Sequence, residues 1–501
     1  MLRFEVYTNG EPAKGIDLSG AYVFGSEGLS VRADIVAAGN IITVAKQSQV
    51  AAGLAIMRKF SDQSAFLLAT TRLPDRIEPY NLNVELARAQ IMRIYRKWED
   101  WFMFDYQDAA DVSAEFRRIQ LTFAEALKVN VSDPEKASLI ADRALEDGLC
   151  FAEKLALFHA DLLCQKRSDV TSDPVEMGLN VNIFAEQEQY RAVLNDSDFV
   201  RIPMPWSIIE QRKNKCDFSK LDHWVNYCFD NDLKIHAGPV LDLRDGFLPG
   251  WLSEFAGDYD KLKERIFNHT HQVVGRYASK VSLWSVFAGL EAVNAFDLSF
   301  DQLADLTRGC CQLMKKIAPD AELMIELIQP FGEYFARDQH TIPPVLFADL
   351  AYQSDLKFDS FGIPVHMGAA VDGFFVRDLM QISSLLDEFL PHGKNVRITA
   401  CGVPSDFRPD KTDIWKGKQS IARAGYWHRK WCENLQEEWL GAIYRLAMSR
   451  PYIKSICWQD IADLPVHVIP HGGLLDSKLA PKPALKKFCL LADKNNEIEI
   501  L

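Results

Sequence analysis

Carboxylates and a histidine stand at the ends of several short apolar segments in the second half of this 501-residue chain. Asp242 follows "HAGPVL", Glu326 follows "ELMI" and His366 follows "SFGIPV". Paired carboxylates can cleave a glycosidic bond by acid–base chemistry, and an aromatic ring can stack on the apolar face of a sugar. Because tryptophans accompany these residues and lysines are few among them, the set favours chemistry on carbohydrates.

The segments that would position these residues form a repeating pattern from Met177 onward. Short apolar runs alternate with amphipathic helical runs, which is typical of a parallel sheet built from βα units. The predicted strands are 178–182, 199–203, 234–241, 281–287, 322–328, 360–366, 395–400 and 453–458. Eight such units predict an α/β fold, a (β/α)8 TIM barrel over residues 176–495. An open doubly wound sheet is the alternative, but no glycine-rich phosphate turn follows the first strand.

The first 175 residues have a different pattern. Residues 1–105 contain short β-branched and aromatic runs separated by Gly, Asn and Ser, which predict a β-sandwich-like domain. Residues 106–175 carry apolar residues at helical spacing and predict a helical connector with a break at 132–134. The β-domain could bind glycans or only pack against its neighbours, and no residue in it decides between the two.

The composition excludes several classes of partner. A net charge of −13 argues against nucleic acid and anionic membranes as partners, and no apolar run is long enough to span a membrane. The ten cysteines lack C-x-x-C spacing, so we predict no metal site. The sequence has no G-x-G-x-x-G or P-loop motif, and we predict no cofactor. The amino-terminal residues lack the apolar region of a signal peptide, which predicts a cytoplasmic protein. The sequence carries no prediction of an oligomeric state.

Three glutamates are candidates for acid–base catalysis. Glu326 alternates with apolar residues on its strand, so it should point into the barrel, where burial would raise its pKa toward that of a general acid. Glu291 and Glu333 follow strands four and five on loops, and either could be its partner. The alternative for Glu326 is a structural glutamate neutralised by a buried arginine. The alternative for Glu333 is a carboxylate at the start of a helix, and the alternative for Glu291 is a carboxylate in the first turn of a helix or exposed to solvent.

Five further residues are candidates for contacting the sugar. They are Trp206, Asp242, His366, Trp458 and Asp460. Trp458 could instead pack at the top of the barrel. His366 could be a core histidine whose hydrogen bonds are made within the protein, and Asp242 could form hydrogen bonds with the backbone. Trp427 and Trp431 are four residues apart, which predicts one shared helix face and a role in the core.

Several segments, in the same order along the chain, resemble glycoside hydrolase family 10, the xylanase family. They include "LPGWL", "VVGRYASKVSLWSV", "IAPDAELMIEL", "FDSFGIPVHMG" and "SICWQDIADLP" followed by "HGGLLDSKLAPKPALKKF". The resemblance covers residues 177 to about 490. It implies a TIM barrel that acts on carbohydrates. At positions 206 and 366 this sequence retains the tryptophan and the histidine that contact the sugar in the family.

The resemblance assigns the family's acid–base glutamate to Gly289 and its nucleophile to Ala400. A retaining glycosidase needs two carboxyl groups about 5–5.5 Å apart, which glycine and alanine cannot supply. We therefore predict a glycosidase with non-standard carboxylates, Glu326 acting with Glu291 or Glu333. A spacing of about 6.5–9.5 Å would indicate an inverting mechanism.

The alternative is a catalytically silent barrel that binds a glycan. Inward carboxylates clustered in an open cleft would favour the enzyme. Inward carboxylates that are each tied to an arginine or lysine would favour the binding protein.

Overall fold

The computed structural model describes residues 1–47, 49–60, 64–103, 110–170, 174–338 and 340–493. The amino-terminal strands are Leu2–Glu5 (β1), Tyr7–Thr8 (β2), Glu11–Pro12 (β3), Tyr22–Phe24 (β4), Ser30–Val31 (β5), Ala33–Ala38 (β6), Ile41–Lys46 (β7), Gly53–Phe60 (β8), Ser64–Ala69 (β9) and Tyr80–Asn81 (β10). In the described residues most of them form two four-stranded sheets, ordered β10-β1-β7-β6 and β5-β4-β8-β9. The β-rich pattern of this region therefore folds into sheets, as predicted.

Three long helices follow in the described residues, Leu82–Asp100 (α1), Ala110–Val129 (α2) and Pro134–Val170 (α3). They pack against one another. The Asn81 side chain accepts from the Val84 amide and starts α1, and Pro134 starts α3 at the predicted break. The predicted boundary at 105/106 and the last two residues of the predicted barrel range lie outside the described residues. The domain division stays a prediction.

The carboxy-terminal strands are Glu176–Asn180 (β11), Phe199–Ile202 (β12), Lys234–Ala237 (β13), Leu241–Asp242 (β14), Leu283–Ala288 (β15), Glu322–Glu326 (β16), Ser360–His366 (β17), Asn395–Gly402 (β18) and Ile453–Trp458 (β19). The helices between and after them are Arg191–Leu194 (α4), Trp206–Ile209 (α5), Ser219–Asp230 (α6), Tyr259–Tyr277 (α7), Phe300–Ile317 (α8), Pro344–Gln353 (α9), Leu379–Glu388 (α10), Ile421–Ala424 (α11), Glu433–Met448 (α12) and Pro483–Ala492 (α13). Strand and helix thus alternate along this part of the chain.

Parallel pairing closes these strands into a TIM barrel. Within the described residues, β11, β12, β13, β15, β16, β17, β18 and β19 form the ring, and β14 extends the pairing of β15. The predicted fold class is confirmed. The third strand ends at Ala237 and not at Leu241, because Gly238-Pro239 interrupts it and proline has no amide proton for the sheet.

The prediction that Trp427 and Trp431 share a helix face is wrong. The helix α11 ends at Ala424, and Gly425 follows with a φ of +107°, a backbone conformation that favours glycine and ends the helix. Both tryptophans lie in the loop before α12. They are nevertheless buried, so their predicted role in the core holds.

The helix α3 also contacts the barrel, where it packs against α10 and α12. Sheets, helices and barrel share one continuous set of buried apolar side chains. Over the described ranges, no helix combines the length and the apolar character needed to cross a membrane.

Candidate functional site

The Glu326 carboxylate lies inside the barrel and is paired with an arginine. It accepts a hydrogen bond from Arg201 on β12, a strand that does not neighbour β16, so this ion pair crosses the barrel interior. Arg201 also donates to Asn180 Oδ1 at 3.1 Å, and Asn180 donates to the Thr399 carbonyl. Glu326 therefore points inward, as the alternation of its strand predicts, and its charge is balanced by Arg201.

Glu291 lies in the loop after β15 and has no solvent exposure. Its Oε1 accepts a hydrogen bond of 2.7 Å from the Ile328 amide, which joins this loop to the loop after β16. Its Oε2 has no hydrogen-bond partner among the described residues. Burial raises the pKa of Glu291 to about 7. The group can hold a proton near neutral pH, but it faces the interior of the protein.

Glu333 starts the short 3-10 helix Glu333–Ala336 after β16 and is also fully buried. Its Oε1 accepts from Arg377 Nη2 at 2.6 Å. The Arg377 guanidinium lies 4.0 Å from the ring centroid of Phe331. Glu333 thus joins the loop after β16 to the loop after β17, and it does not lie in the open mouth of the barrel.

The carboxylate of Asp242, at the end of β14, accepts hydrogen bonds from two nitrogen atoms of one guanidinium group. Arg244 donates to its two carboxylate oxygens at 2.9 and 2.6 Å. The same arginine lies against Gly289, where a Cβ atom would come within 3.0 Å of Arg244 Nε. Gly289 has a φ of +71°, which also favours glycine. The Asp242–Arg244 pair therefore fills the space beside position 289.

The two predicted sugar-contacting tryptophans are packed inside the protein. Trp206 is 3% exposed, stacks on His269 at a centroid distance of 4.2 Å and donates to Glu210. Trp458 has no exposed surface and donates to the Gly472 carbonyl at 3.0 Å. Neither ring is available as a platform for a sugar in this conformation.

Asp460 anchors the loop that follows β19. It accepts hydrogen bonds from the amides of Val468 and Ile469, the shorter at 2.7 Å. Burial raises the pKa of Asp460 to about 6. These contacts give Asp460 a role in shaping the loop.

Four side chains that are partly open to solvent meet at the carboxyl end of the barrel. We call His366, Phe374, Trp415 and Gln459 the aromatic corner. His366 Nε2 lies 3.2 Å from Gln459 Oε1, and its ring centroid lies 5.0 Å from that of Phe374. The Phe374 and Trp415 rings are perpendicular, with centroids 5.3 Å apart. Burial lowers the pKa of His366 to about 4, so the imidazole is neutral at pH 7.

The sequence predicted only His366 among these four residues. Trp415 lies in a polar loop, "DKTDIWKGKQ", where an isolated tryptophan is a signal of function rather than of core packing. Gln459 directly follows the predicted Trp458. Likewise Arg201, a single cation within the apolar strand "FVRI", signals a buried ion pair.

The described residues contain no group of three or more His, Cys, Asp or Glu side chains that could hold a metal ion. Each carboxylate described above instead accepts at least one hydrogen bond from an arginine or a backbone amide.

Comparison with known proteins shows what the barrel is similar to. Residues 200–412 match the model of Glycosyl hydrolase family 10. The barrel therefore resembles the barrels of that family. A Beta-1,4-xylanase of Dictyoglomus thermophilum is 25% identical over 170 residues, 34% of this chain and 45% of that protein. The Endo-1,4-beta-xylanase B of Thermotoga neapolitana is 24% identical over 112 residues, 22% of this chain and 32% of that protein.

Among solved structures, xylanase 10B from Thermotoga maritima is similar with a TM-score of 0.47 and 15% sequence identity. That match covers 67% of this chain and 98% of the xylanase. The chain matches less than half the length of each of the two curated relatives.

The family match includes part of the aromatic corner but not all of it. His366 and Phe374 lie inside the matched residues 200–412, whereas Trp415 and Gln459 lie beyond them. Gly289 and Ala400, the positions that the family resemblance assigns to catalytic glutamates, also lie inside the matched range. Ala400 is a buried residue on β18.

Proposed function

We propose that this barrel binds a carbohydrate at the aromatic corner and does not hydrolyse it by a pair of carboxylates. One observation carries the proposal: Glu326, Asp242 and Glu333 each form an ion pair with their own arginine. A retaining glycosidase needs one carboxylate free to attack the sugar and one carboxylic acid to protonate the leaving group. In each of these pairs the arginine occupies a carboxylate oxygen that a sugar would have to reach.

A neutral, hydroxyl-rich ligand suits the electrostatics of this face. Because the arginines that lie among these carboxylates are already paired, they leave little net charge to attract an ionic ligand. The neutral His366 ring and the Gln459 amide can exchange hydrogen bonds with hydroxyl groups, and the Phe374 and Trp415 rings can pack against the apolar face of a sugar ring. The similarity to xylanases makes xylo-oligosaccharides the first ligands to test.

Calorimetric titration with xylo-, gluco- and galacto-oligosaccharides tests the binding. We expect saturable binding of one series and a loss of at least tenfold in affinity for Trp415→Ala. The matched control is Phe229→Ala, which removes an exposed aromatic ring at the end of α6, outside the corner. Equal affinity of Trp415→Ala and the wild type would contradict the proposed location.

A second candidate is a glycosidase in which Glu291 is the general acid. The observation that favours it is a carboxyl group with a pKa near 7 and one oxygen without a partner among the described residues. This reading requires the loop after β15 to open, because Glu291 has no exposed surface.

Product analysis after long incubation separates the two candidates. The binding proposal predicts intact oligosaccharide with the wild type and with Glu291→Gln alike. Release of shorter sugars by the wild type, reduced at least a hundredfold in Glu291→Gln but not in Trp415→Phe, would establish the glycosidase.

A further inference from the structure

The amino-terminal sheet β5-β4-β8-β9 lies against the loops at the carboxyl end of the barrel. Ser30 on β5 donates to the Gly332 carbonyl in the loop after β16, at 2.7 Å. The backbones of Ala65 on β9 and Tyr426 exchange two hydrogen bonds of 3.0 Å. The sheet therefore binds the end of the barrel where a TIM barrel carries its functional residues.

Three consecutive residues of the loop after β17 are each held by this sheet or the segment leading to it. The Phe375 ring packs on Gly20, where a Cβ atom would come within 2.5 Å of Phe375 Cζ. The Val376 carbonyl accepts from the Leu67 amide at 2.8 Å. The Arg377 guanidinium interacts with the Tyr22 hydroxyl as well as with Glu333.

The residue before these three, Phe374, faces the opposite way. Its ring contacts His366 and Trp415, while the ring of Phe375 is 2% exposed beneath the amino-terminal sheet. The Cα atoms of consecutive residues are about 3.8 Å apart, so a backbone shift at Phe375 also moves the backbone at Phe374. Phe374 and Phe375 therefore connect the aromatic corner to the amino-terminal domain.

We infer that Gly20 and Tyr22 of the amino-terminal domain are positioning residues for the aromatic corner. Gly20 gives the Phe375 ring a flat surface on which to lie, and Tyr22 helps fix Arg377, so that Phe374 is presented to His366 and Trp415. The amino-terminal domain is then a part of the barrel's site and not an independent glycan-binding module. The functional meaning of this arrangement rests on the proposed function, whereas the positioning itself does not need a ligand.

The test is ¹⁹F NMR of the full chain labelled with 5-fluorotryptophan, without ligand. Trp415→Phe identifies the Trp415 resonance, and Phe374→Ala calibrates how far that resonance moves when its neighbouring ring is lost. We expect Gly20→Ala, which pushes a methyl group into Phe375, and Tyr22→Phe, which removes one of the partners of Arg377, each to shift or broaden the Trp415 resonance. The expected shift is at least half of that caused by Phe374→Ala.

The matched control is Tyr7→Phe in the same domain, because the Tyr7 hydroxyl donates to Glu5 and not to the barrel. Folding of each variant is checked by circular dichroism, and either Gly20→Ala or Tyr22→Phe is sufficient for the test. If the Trp415 resonance of Gly20→Ala and of Tyr22→Phe has the same position as that of Tyr7→Phe, the inference is wrong. Absence of glycan binding by the wild type would instead contradict the proposed function and leave this result unchanged.

Discussion

At the scale of single residues, the carboxylates that could have done chemistry are mostly used to hold the protein together. The Arg201–Glu326 pair is the clearest case, because both side chains are largely buried and the bond crosses the barrel. Alternation along β16 was enough to predict that Glu326 points inward. Its partner could not be predicted, because Arg201 meets Glu326 only once the barrel has closed.

Replacing Glu326 by Gln should destabilise the protein by about 3 kcal/mol, because it leaves the charge of Arg201 buried without a counter-ion. Urea denaturation followed by tryptophan fluorescence measures this. The control is the double variant Arg201→Met/Glu326→Leu, which removes both charges and should lie within about 1 kcal/mol of the wild type. A double variant less stable than Glu326→Gln alone would contradict this account of the pair.

Glu291 should make the stability of the protein depend on pH. Its pKa is raised by burial from 4.5 to about 7, so between these values the unfolded chain releases a proton that the folded chain retains. Stability should therefore fall as the pH rises from about 4.5 to about 7, and remain lower above that range. Glu291→Gln removes this dependence. We expect the variant to gain about 3 kcal/mol relative to the wild type between pH 5 and pH 8, measured by denaturation at both values. A constant difference would show that Glu291 is ionised in the folded protein.

At the scale of secondary structure, α3 is fixed to the barrel by one buried carboxylate. Glu153 accepts hydrogen bonds from the Leu379 amide, from Trp427 Nε1 at 2.8 Å and from His428 Nε2. The sequence predicted the helix, because apolar spacing is a local signal. It could not predict this contact, because the donors come from the start of α10 and from the loop before α12.

Glu153→Ala should cost about 3 kcal/mol, since it leaves buried donors without an acceptor. The adjacent Lys154 is the control: its ion pair with Glu115 is exposed, and Lys154→Ala should change stability by less than about 0.5 kcal/mol. Thermal and urea denaturation of both variants provide the comparison. Equal stability of the two variants would mean that α3 is not held by Glu153.

The bounds of two barrel strands could be predicted from the local sequence pattern alone. The strands Ser360–His366 and Ile453–Trp458 have the predicted bounds, because each mostly apolar segment ends at a polar residue, His366 or Gln459. The spacing of Trp427 and Trp431 suggested a helix, but the glycine at 425 has a backbone conformation that no helix contains. Such conformations are set by the surrounding structure and not by apolar spacing.

At the scale of the whole molecule, the amino-terminal sheets and the barrel should unfold together. The bonds from Ser30 to Gly332 and between Ala65 and Tyr426 join the sheet to separate barrel loops. Hydrogen exchange at increasing urea concentration, read on peptides from β8 and from β17, should reveal loss of protection at the same concentration. Loss of protection in β8 while β17 stays protected would indicate that the domain is only loosely attached.

Whether this barrel binds a sugar without cleaving it can be tested in one sample. The full chain is incubated for a day with a six-residue oligosaccharide of the series that binds, at a concentration that saturates the protein. Bound and free sugars are then separated and sized by chromatography. We expect the bound sugar to be recovered at its full length, and Trp415→Ala to retain much less of it. Recovery of shorter sugars from the wild type would contradict the proposal.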